Sequence, residues 1–328
     1  MDPLADLLGR ARATGSLFAE TTLHGRGGLA LDAEPAPLAL HVVRTGPLWL
    51  QAEGQTTRLG SGDVVMVRGG TKLAFCAGPD EPATPLSRLL AGRAPEPGVN
   101  RLDMPGPAGP AVLLCGAYAL TGSLCDRLLD VLPEVAHVPA SQGPLGRVIE
   151  VLYDELDAAA PGQQTALDRV LDLLLVHVLR AHFASGAVVP AWYAALQDPA
   201  VGQALRALHA DPAAAWTVER LAKTVGLSRA AFARRFTATV GEPPLAYLTG
   251  WRIALAKEAL HRDGSTLASI AREVGYASEF ALSAAFRRTA GEPPGRWRSR
   301  TGTSITSVAP AERDEDDLLP HGGASADY

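Results

Sequence analysis

Residues 216–248 read WTVERLAKTVGLSRAAFARRFTATVGEPPLAYL, and residues 265–297 read STLASIAREVGYASEFALSAAFRRTAGEPPGRW, one pattern written twice. Ala222 matches Ala271 and Gly226 matches Gly275 at a spacing of 49, whereas Phe236 matches Phe286 and the GEPP at Gly241 matches the GEPP at Gly291 at a spacing of 50. The change of spacing puts one extra residue in the second copy, near Glu279 to Ala281. Each copy has a short helical pattern, a glycine followed by an apolar residue, and a serine or small residue opening a second helical pattern that ends near an arginine pair. That is the sequence form of a helix-turn-helix.

Local chemistry supports the same reading. Thr217 is the expected N-cap of the first short helix, with Arg220 rather than an acid three residues on, so the capping box is incomplete. Ser228 caps a helix that buries Ala231, Phe232 and Phe236, with Arg235 buried only by its stem. Trp251 to Leu260 reads as a connecting helix that fixes the separation of the two units. Leu267, Ile270, Ala271 and Val274 repeat the buried set of the first copy, with Tyr276 in the place of Leu227.

A helix-turn-helix lays its second helix in the major groove, its N-terminal turns toward base edges. The first such helix, about 228–238, presents Arg229, Ala230, Ala233 and Arg234; the second, about 277–289, presents Ser278, Glu279, Ser283 and Arg287. Arg234 is the expected base reader, because a bidentate arginine on guanine discriminates by about 1 to 3 kcal/mol. Glu279 suits a cytosine amine. Arg229, Arg235, Arg252, Arg287, Arg288, Arg296 and Arg298 suit phosphates, which position the protein without reading sequence. Two units on one rigid helix would read two successive major-groove segments, so a monomer could engage an asymmetric site.

The charge distribution agrees. The net charge of −5 conceals a segment, residues 213–300, with fourteen Lys and Arg against seven Asp and Glu, or +7; the residues before it come to −7 and those from Thr301 onward to −5. A basic segment inside an acidic chain is the footprint of a local anionic partner, here double-stranded DNA. The 328 residues allow two domains with cores of their own, and 47% apolar residues indicate a folded soluble protein. No run of eighteen uncharged apolar residues occurs, MDPLADLLGRARATG lacks the basic start and apolar core of a secretion signal, and three cysteines are too few for a disulfide scaffold. No membrane contact is expected, and the expected setting is the cytoplasm.

Upstream of the repeat the periodicity differs. Residues 1–15 read as a short amphipathic helix carrying Leu4, Leu7 and Leu8; from Ser16 to about Ala77 short apolar runs alternate at period two between Gly, Pro and Asp turns, which indicates an antiparallel sandwich or barrel. Pro79 to Gly109 reads as a loop, Ala111 to Leu120 as returning strand, and Leu124 to Leu132 as a short helix stopped by Pro133. Two helical stripes follow, Val148, Ile149, Leu152 and Leu156, then Leu167 through Leu179; they are either part of the barrel core or a dimerisation surface. Asp198 and Pro199 start a further helix to about His209.

These residues carry a family likeness. GLSRAAFARRFTATVGEPPLAYLTGWRIALAKEAL and IAREVGYASEFALSAAFRRTAGEPPGRWR resemble the DNA-binding domain of the AraC/XylS family of bacterial transcription regulators, over about 100 residues. HVVRTGPLWL, LGSGDVVMVRGG, LLCGAYAL and LLDVLPEVAHV resemble the cupin-type regulatory domain found in that family. The resemblance implies sequence-specific promoter binding, usually activation, under the control of the N-terminal domain. It places Ala230, Ala233 and Arg234, with Glu279, Phe280, Ser283 and Ala284, in base-facing positions; alanine at three of the seven favours methyl contacts or DNA shape over polar readout. The expected fold is α+β: a cupin-like β-barrel domain over 1–140, a helical dimerisation or linker region over 141–210, an all-α double helix-turn-helix domain over 211–300, and a disordered acidic tail over 301–328. Expected partners besides DNA are a small-molecule effector, a second copy of the chain and RNA polymerase.

Cupin barrels also serve enzymes, but an open metal site needs several convergent ligands. Leu73 stands where the cupin motif has its histidine, Arg68 where the family motif often has proline, and His41 stands alone, so neither catalysis nor a cofactor is expected. His41 is read as a packed or hydrogen-bonded histidine or as part of an effector pocket with Arg44 and Trp49, for which plain core is the competing reading of Trp49. Cys115 and Cys125, with His137, are candidates for a redox-sensitive or soft-metal site; nine residues between the cysteines match no tight metal signature, and buried inert thiols are the alternative.

Overall fold

The computed structural model describes residues 4, 8, 12–13, 19–25, 27–34, 36–91, 100–104, 110–119, 128–140, 143–158, 160–185, 189–262 and 264–302. The expected acidic tail beyond residue 302 and Cys125 lie outside them.

Period-two alternation becomes a two-sheet domain. Its strands are β1 (Arg12–Ala13), β2 (Ala19–His24), β3 (Gly28–Leu31), β4 (Leu38–Thr45), β5 (Leu48–Ala52), β6 (Gln55–Leu59), β7 (Val64–Arg68), β8 (Leu73–Cys76), β9 (Ala83–Pro85), β10 (Asn100–Met104), β11 (Pro110–Ala119) and β12 (Val135–Val138). One sheet runs β10-β2-β11-β4-β7-β12, with β1 also on β11; the other runs β6-β5-β8-β3-β9. Alternate residues of β4 and β7 therefore serve two cores. Val43, Val65 and Val67 face the second sheet with Leu29, Leu50 and Phe75, and Leu40, Val42, Val64 and Met66 face the helices that follow.

Two readings of this half change. The segment from Pro79 to Gly109, expected as loop, contains β9, the short helix α1 (Leu86–Leu89) and β10; β9 and β10 pair parallel with β3 and β2 at sheet edges. Each is short and flanked by Pro or Gly, so alternation is too brief to register in sequence. Arg12 and Ala13, read as helix, form β1.

The helices α2 (Pro144–Ala158) and α3 (Gln163–Ala184) pack on the first sheet, and their stripes, Leu145 to Leu156 and Leu167 to Phe183, belong to one core with Leu38, Leu114 and Tyr118. The choice between core and dimer surface is thus settled for these stripes: they are core. Gly116 permits the approach, since a Cβ there would lie 2.8 Å from Leu171 Cδ2, and the Tyr118 hydroxyl donates to the Leu171 carbonyl at 2.8 Å.

The second half is helical: α4 (Ala191–Ala195), α5 (Pro199–Ala210), α6 (Val218–Thr224), α7 (Arg229–Val240), α8 (Pro244–Ala259), α9 (Leu267–Glu273), α10 (Glu279–Ala290) and α11 (Pro294–Gly302). Ala195, Val201, Leu205 and Leu208 pack in one core with Leu221, Phe232 and Phe236, so α4 and α5, read as linker, are built into the first helix-turn-helix unit. The connecting helix begins at Pro244, not Trp251, because each GEPP ends one helix at a left-handed glycine and starts the next at its second proline. Along α8, Tyr247 and Leu248 enter the core of the first unit and Ile253, Ala256, Ala259 and Leu260 that of the second. One helix is shared by two cores, which fixes their spacing.

Candidate nucleic-acid interface

Both second helices are started and stopped by the same devices. Ser228 Oγ accepts from the Ala231 N–H at 3.3 Å and Ser278 Oγ from the Ala281 N–H at 3.2 Å; the helices end at Gly241 (φ 89) and Gly291 (φ 79). Because both serines cap, the extra residue of the second copy lies between Gly275 and Ser278, in the turn, rather than near Glu279 to Ala281. A turn absorbs a residue that inside a helix would rotate every following side chain by about 100°.

Burying Phe232, Phe236 and Val240 turns Arg229, Ala230 and Arg234 of α7 outward, with Ala233 half-buried. Burying Leu282, Ala285 and Phe286 turns Phe280 and Ala284 of α10 outward, with Glu279 and Ser283 half-buried. Phe280 is 78% exposed. A large apolar ring held in water forgoes roughly 1.5 to 3 kcal/mol of burial, a cost that a partner surface removes. Ser278 is exposed, and its hydroxyl accepts the N-cap hydrogen bond that starts α10.

The structure also sorts the arginines. Arg234, Arg287, Arg288 and Arg296 are exposed and make no ion pair among the described residues. Arg229 Nε meets Glu219 Oε1 at 2.8 Å in an exposed pair, which contributes little and opens readily. Arg298 donates to the Ser265 carbonyl and hydroxyl. Two expected phosphate contacts are reassigned. Arg235 Nε donates to Asp198 Oδ2 at 2.7 Å, tying α7 to α5. Arg252, half-buried, donates to the carbonyls of Pro212 at 2.7 Å and Ala214 at 2.9 Å and lies over the Tyr276 ring, which makes it a strut between the units.

In the N-terminal domain the expected effector pocket does not assemble. His41 faces the space between the sheets, Trp49 alternates away from it because Leu48 and Leu50 point in, and Arg44 turns to the helices, pairing with Asp157 and Glu20 and lying 5.4 Å from the Tyr153 ring centroid. His137 is not the partner of Cys115: β4 and β7 intervene, and its Nε2 donates to Asp63 Oδ2 at 3.0 Å. The residue at Cys115 is His41, whose Nδ1 lies 2.9 Å from its sulfur across the β4–β11 pair, with Glu34 Oε2 3.5 Å from the other ring nitrogen. The cross-strand register sets that contact, and no spacing in the sequence announces it. Burial alone would lower the imidazole pKa; the Cys115 sulfur and Glu34 carboxylate outweigh it and raise it to about 10. Among the described residues no group of three His, Cys, Asp or Glu is arranged to hold a metal ion, and no helix is long and apolar enough to cross a membrane.

Comparison with known proteins bears on both halves. A cupin family model matches residues 2–184 and a helix-turn-helix domain model residues 221–300. The chain is 36% identical over 305 residues, 91% of its length and 98% of the relative's, to an AraC-like transcription regulator described in Streptomyces lividans. It is 35% identical over 179 residues, 53% of its length and 58% of the relative's, to the HTH-type transcriptional regulator AlkR of Acinetobacter baylyi. Among solved structures, the DNA-binding domain of AdpA, a global transcriptional factor in complex with a target DNA, shares 29% identity with a TM-score of 0.32, covering 34% of this chain and 99% of that one.

Proposed function

Because the chain belongs to the AraC-like transcription regulators, with a cupin domain followed by a DNA-binding helix-turn-helix domain, we propose that it is an effector-responsive activator that reads two successive major-groove segments with α7 and α10. The observation that carries this reading is the shared helix α8, whose two ends lie in the two cores, so that both recognition helices are held in one frame. Arg234 reads a base on the first segment, with Ala230 and Ala233 supplying methyl contacts; Glu279, Phe280, Ser283 and Ala284 face the second. Arg287, Arg288 and Arg296 hold phosphates. Footprinting of a bound promoter tests this: protection should fall on two patches about one helical turn, roughly 10 base pairs, apart on one face of the duplex. A single patch would leave only one unit reading DNA.

Homodimer formation and contact with RNA polymerase belong to the same proposal. With the dense stripes of α2 and α3 used inside, the large apolar residues left exposed on these helices are Val151 and Leu173. Charge at both, in Val151→Glu and Leu173→Glu, should abolish the dimer in sedimentation while leaving the fold intact.

A second reading of the regulatory signal is favoured by the His41–Cys115 contact: control through the thiol rather than through a bound effector. A thiol held 2.9 Å from a cationic imidazole is poised for reaction with a two-electron oxidant. Promoter affinity measured before and after hydrogen peroxide, in the native chain and in Cys115→Ser, separates the two; no peroxide effect that depends on Cys115 removes this reading.

A further inference from the structure

The two recognition helices begin alike and then present different chemistry. Ser228 and Ser278 cap them, so Ala230 of α7 and Phe280 of α10 hold the same place, the second residue of each helix. Arg234 and Ala284, four residues further on, are matched in the same way. The outward pair is a methyl followed by a guanidinium in α7, and a phenyl ring followed by a methyl in α10.

Phe280 is 78% exposed and joins none of the hydrophobic cores of the described residues. The core of its unit is filled by Leu282, Ala285 and Phe286, on the opposite side of α10. No lysine or arginine stands among residues 279–286; the cations of this helix, Arg287 and Arg288, come in its last turn. Phe280, Ala284 and Arg287 follow at i, i+4 and i+7 and therefore share one face. With this face toward the groove, the first two turns of α10 meet base edges with apolar carbon, and Arg287 meets the backbone further along.

The base edges of the major groove are mostly polar. Guanine shows two acceptors, adenine an acceptor and an amine, and cytosine an amine, whereas thymine adds a methyl group to its acceptor. A phenyl ring over guanine, adenine or cytosine strips water from polar groups and offers no hydrogen bond in return. Over thymine it covers a methyl group, which water solvates poorly.

We propose that Phe280 is a specificity-determining residue, which selects thymine in the second major-groove segment by covering its 5-methyl group. The inference rests on the proposed reading of DNA by α10 and gives that helix a base preference. Apolar contact releases no counterions from the duplex, so the preference does not depend on salt.

The test uses the full chain and a duplex that the native protein selects from random DNA, with footprinting to locate the two patches. The patch that Arg234→Ala leaves unaffected is the second. Each thymine in it is replaced in turn by deoxyuridine, which keeps every hydrogen-bonding group and lacks only the methyl. At one or two positions the native chain should lose about fourfold in affinity, the factor that burial of one methyl group supplies. Phe280→Ala should bind the thymine duplex about fourfold or more weakly, should no longer distinguish thymine from deoxyuridine there, and should keep the native salt slope. Phe280→Leu, which keeps apolar bulk, should retain part of the preference. A second patch without a selected thymine, equal binding of thymine and deoxyuridine throughout it, or a difference that survives Phe280→Ala overturns the proposal and leaves the reading of DNA by α10 standing. Absence of the second patch altogether overturns that reading as well.

Discussion

Asp198 Oδ2 accepts from Arg235 Nε at 2.7 Å while its Oδ1 accepts from the backbone N–H of Ala200 and Val201, both at 3.0 Å. One carboxylate thus caps α5 and anchors α7, so the first recognition helix takes its position from a helix that precedes the repeat.

Removing this carboxylate tests the joint. Asp198→Ala should cost about 0.5 to 2 kcal/mol for the cap, read by urea unfolding. Asp198→Asn, which keeps the cap and loses the charge, should cost less. Burial alone would raise the Asp198 pKa; the Val201 N–H and Arg235 outweigh it and hold it below the ordinary carboxylate value. The group's stabilisation is therefore complete above an unfolded pKa near 3.9 and fades as pH falls through the lower folded value. Equal costs for the two variants would show that the pair with Arg235 matters more than the cap.

Arginines with different surroundings should fail differently on DNA. Arg234→Ala should weaken binding most at one or two base pairs, by about 1 to 3 kcal/mol there. Arg287→Ala should weaken all sequences alike and lower the salt slope by about one unit. Competition binding on single-base variants of the site decides; a uniform loss for Arg234→Ala would make it a phosphate contact.

The buried His41 makes stability pH-dependent in the opposite sense to Asp198. Its folded pKa of about 10 exceeds the unfolded value of 6.5, so its contribution is complete below about pH 6.5 and is lost as pH rises toward 10. His41→Leu should cost roughly 3 to 5 kcal/mol by stranding the Glu34 carboxylate, and adding Glu34→Gln should recover part of it. Thermal unfolding between pH 6 and 10 should show a decline in the native chain that the double variant lacks.

The two turn glycines look alike in sequence and differ in surroundings. Gly226 (φ +69) has open space where a Cβ would stand, so Gly226→Ala should cost about 1 to 2 kcal/mol for the left-handed backbone alone. Gly275 (φ +83) would place that methyl 2.6 Å from Ala213 and 2.8 Å from Arg252 Nη2, and Gly275→Ala should cost about 1 to 3 kcal/mol more. Denaturant unfolding of both variants gives the comparison; equal costs would mean that the Ala213 segment yields freely.

The doubled pattern, its caps at Thr217, Ser228 and Asp198, and the basic charge around it were legible because helix starts, left-handed glycines and local charge depend on residues a few positions apart. The face of α7 followed from the burial of Phe232 and Phe236, and that of α10 from the match of Phe286 to Phe236 in the repeat. What only the tertiary structure decided is pairing across long separations. It set Arg235 on Asp198, Arg252 on the chain at Pro212, Cys115 on His41 rather than His137, and the stripes of α2 and α3 on the sheet. Strand register sets the Cys115–His41 contact, α8 carries Arg252, and the packing of elements far apart in the chain sets the others. Periodicity states which face of an element is buried, but not which distant element buries it.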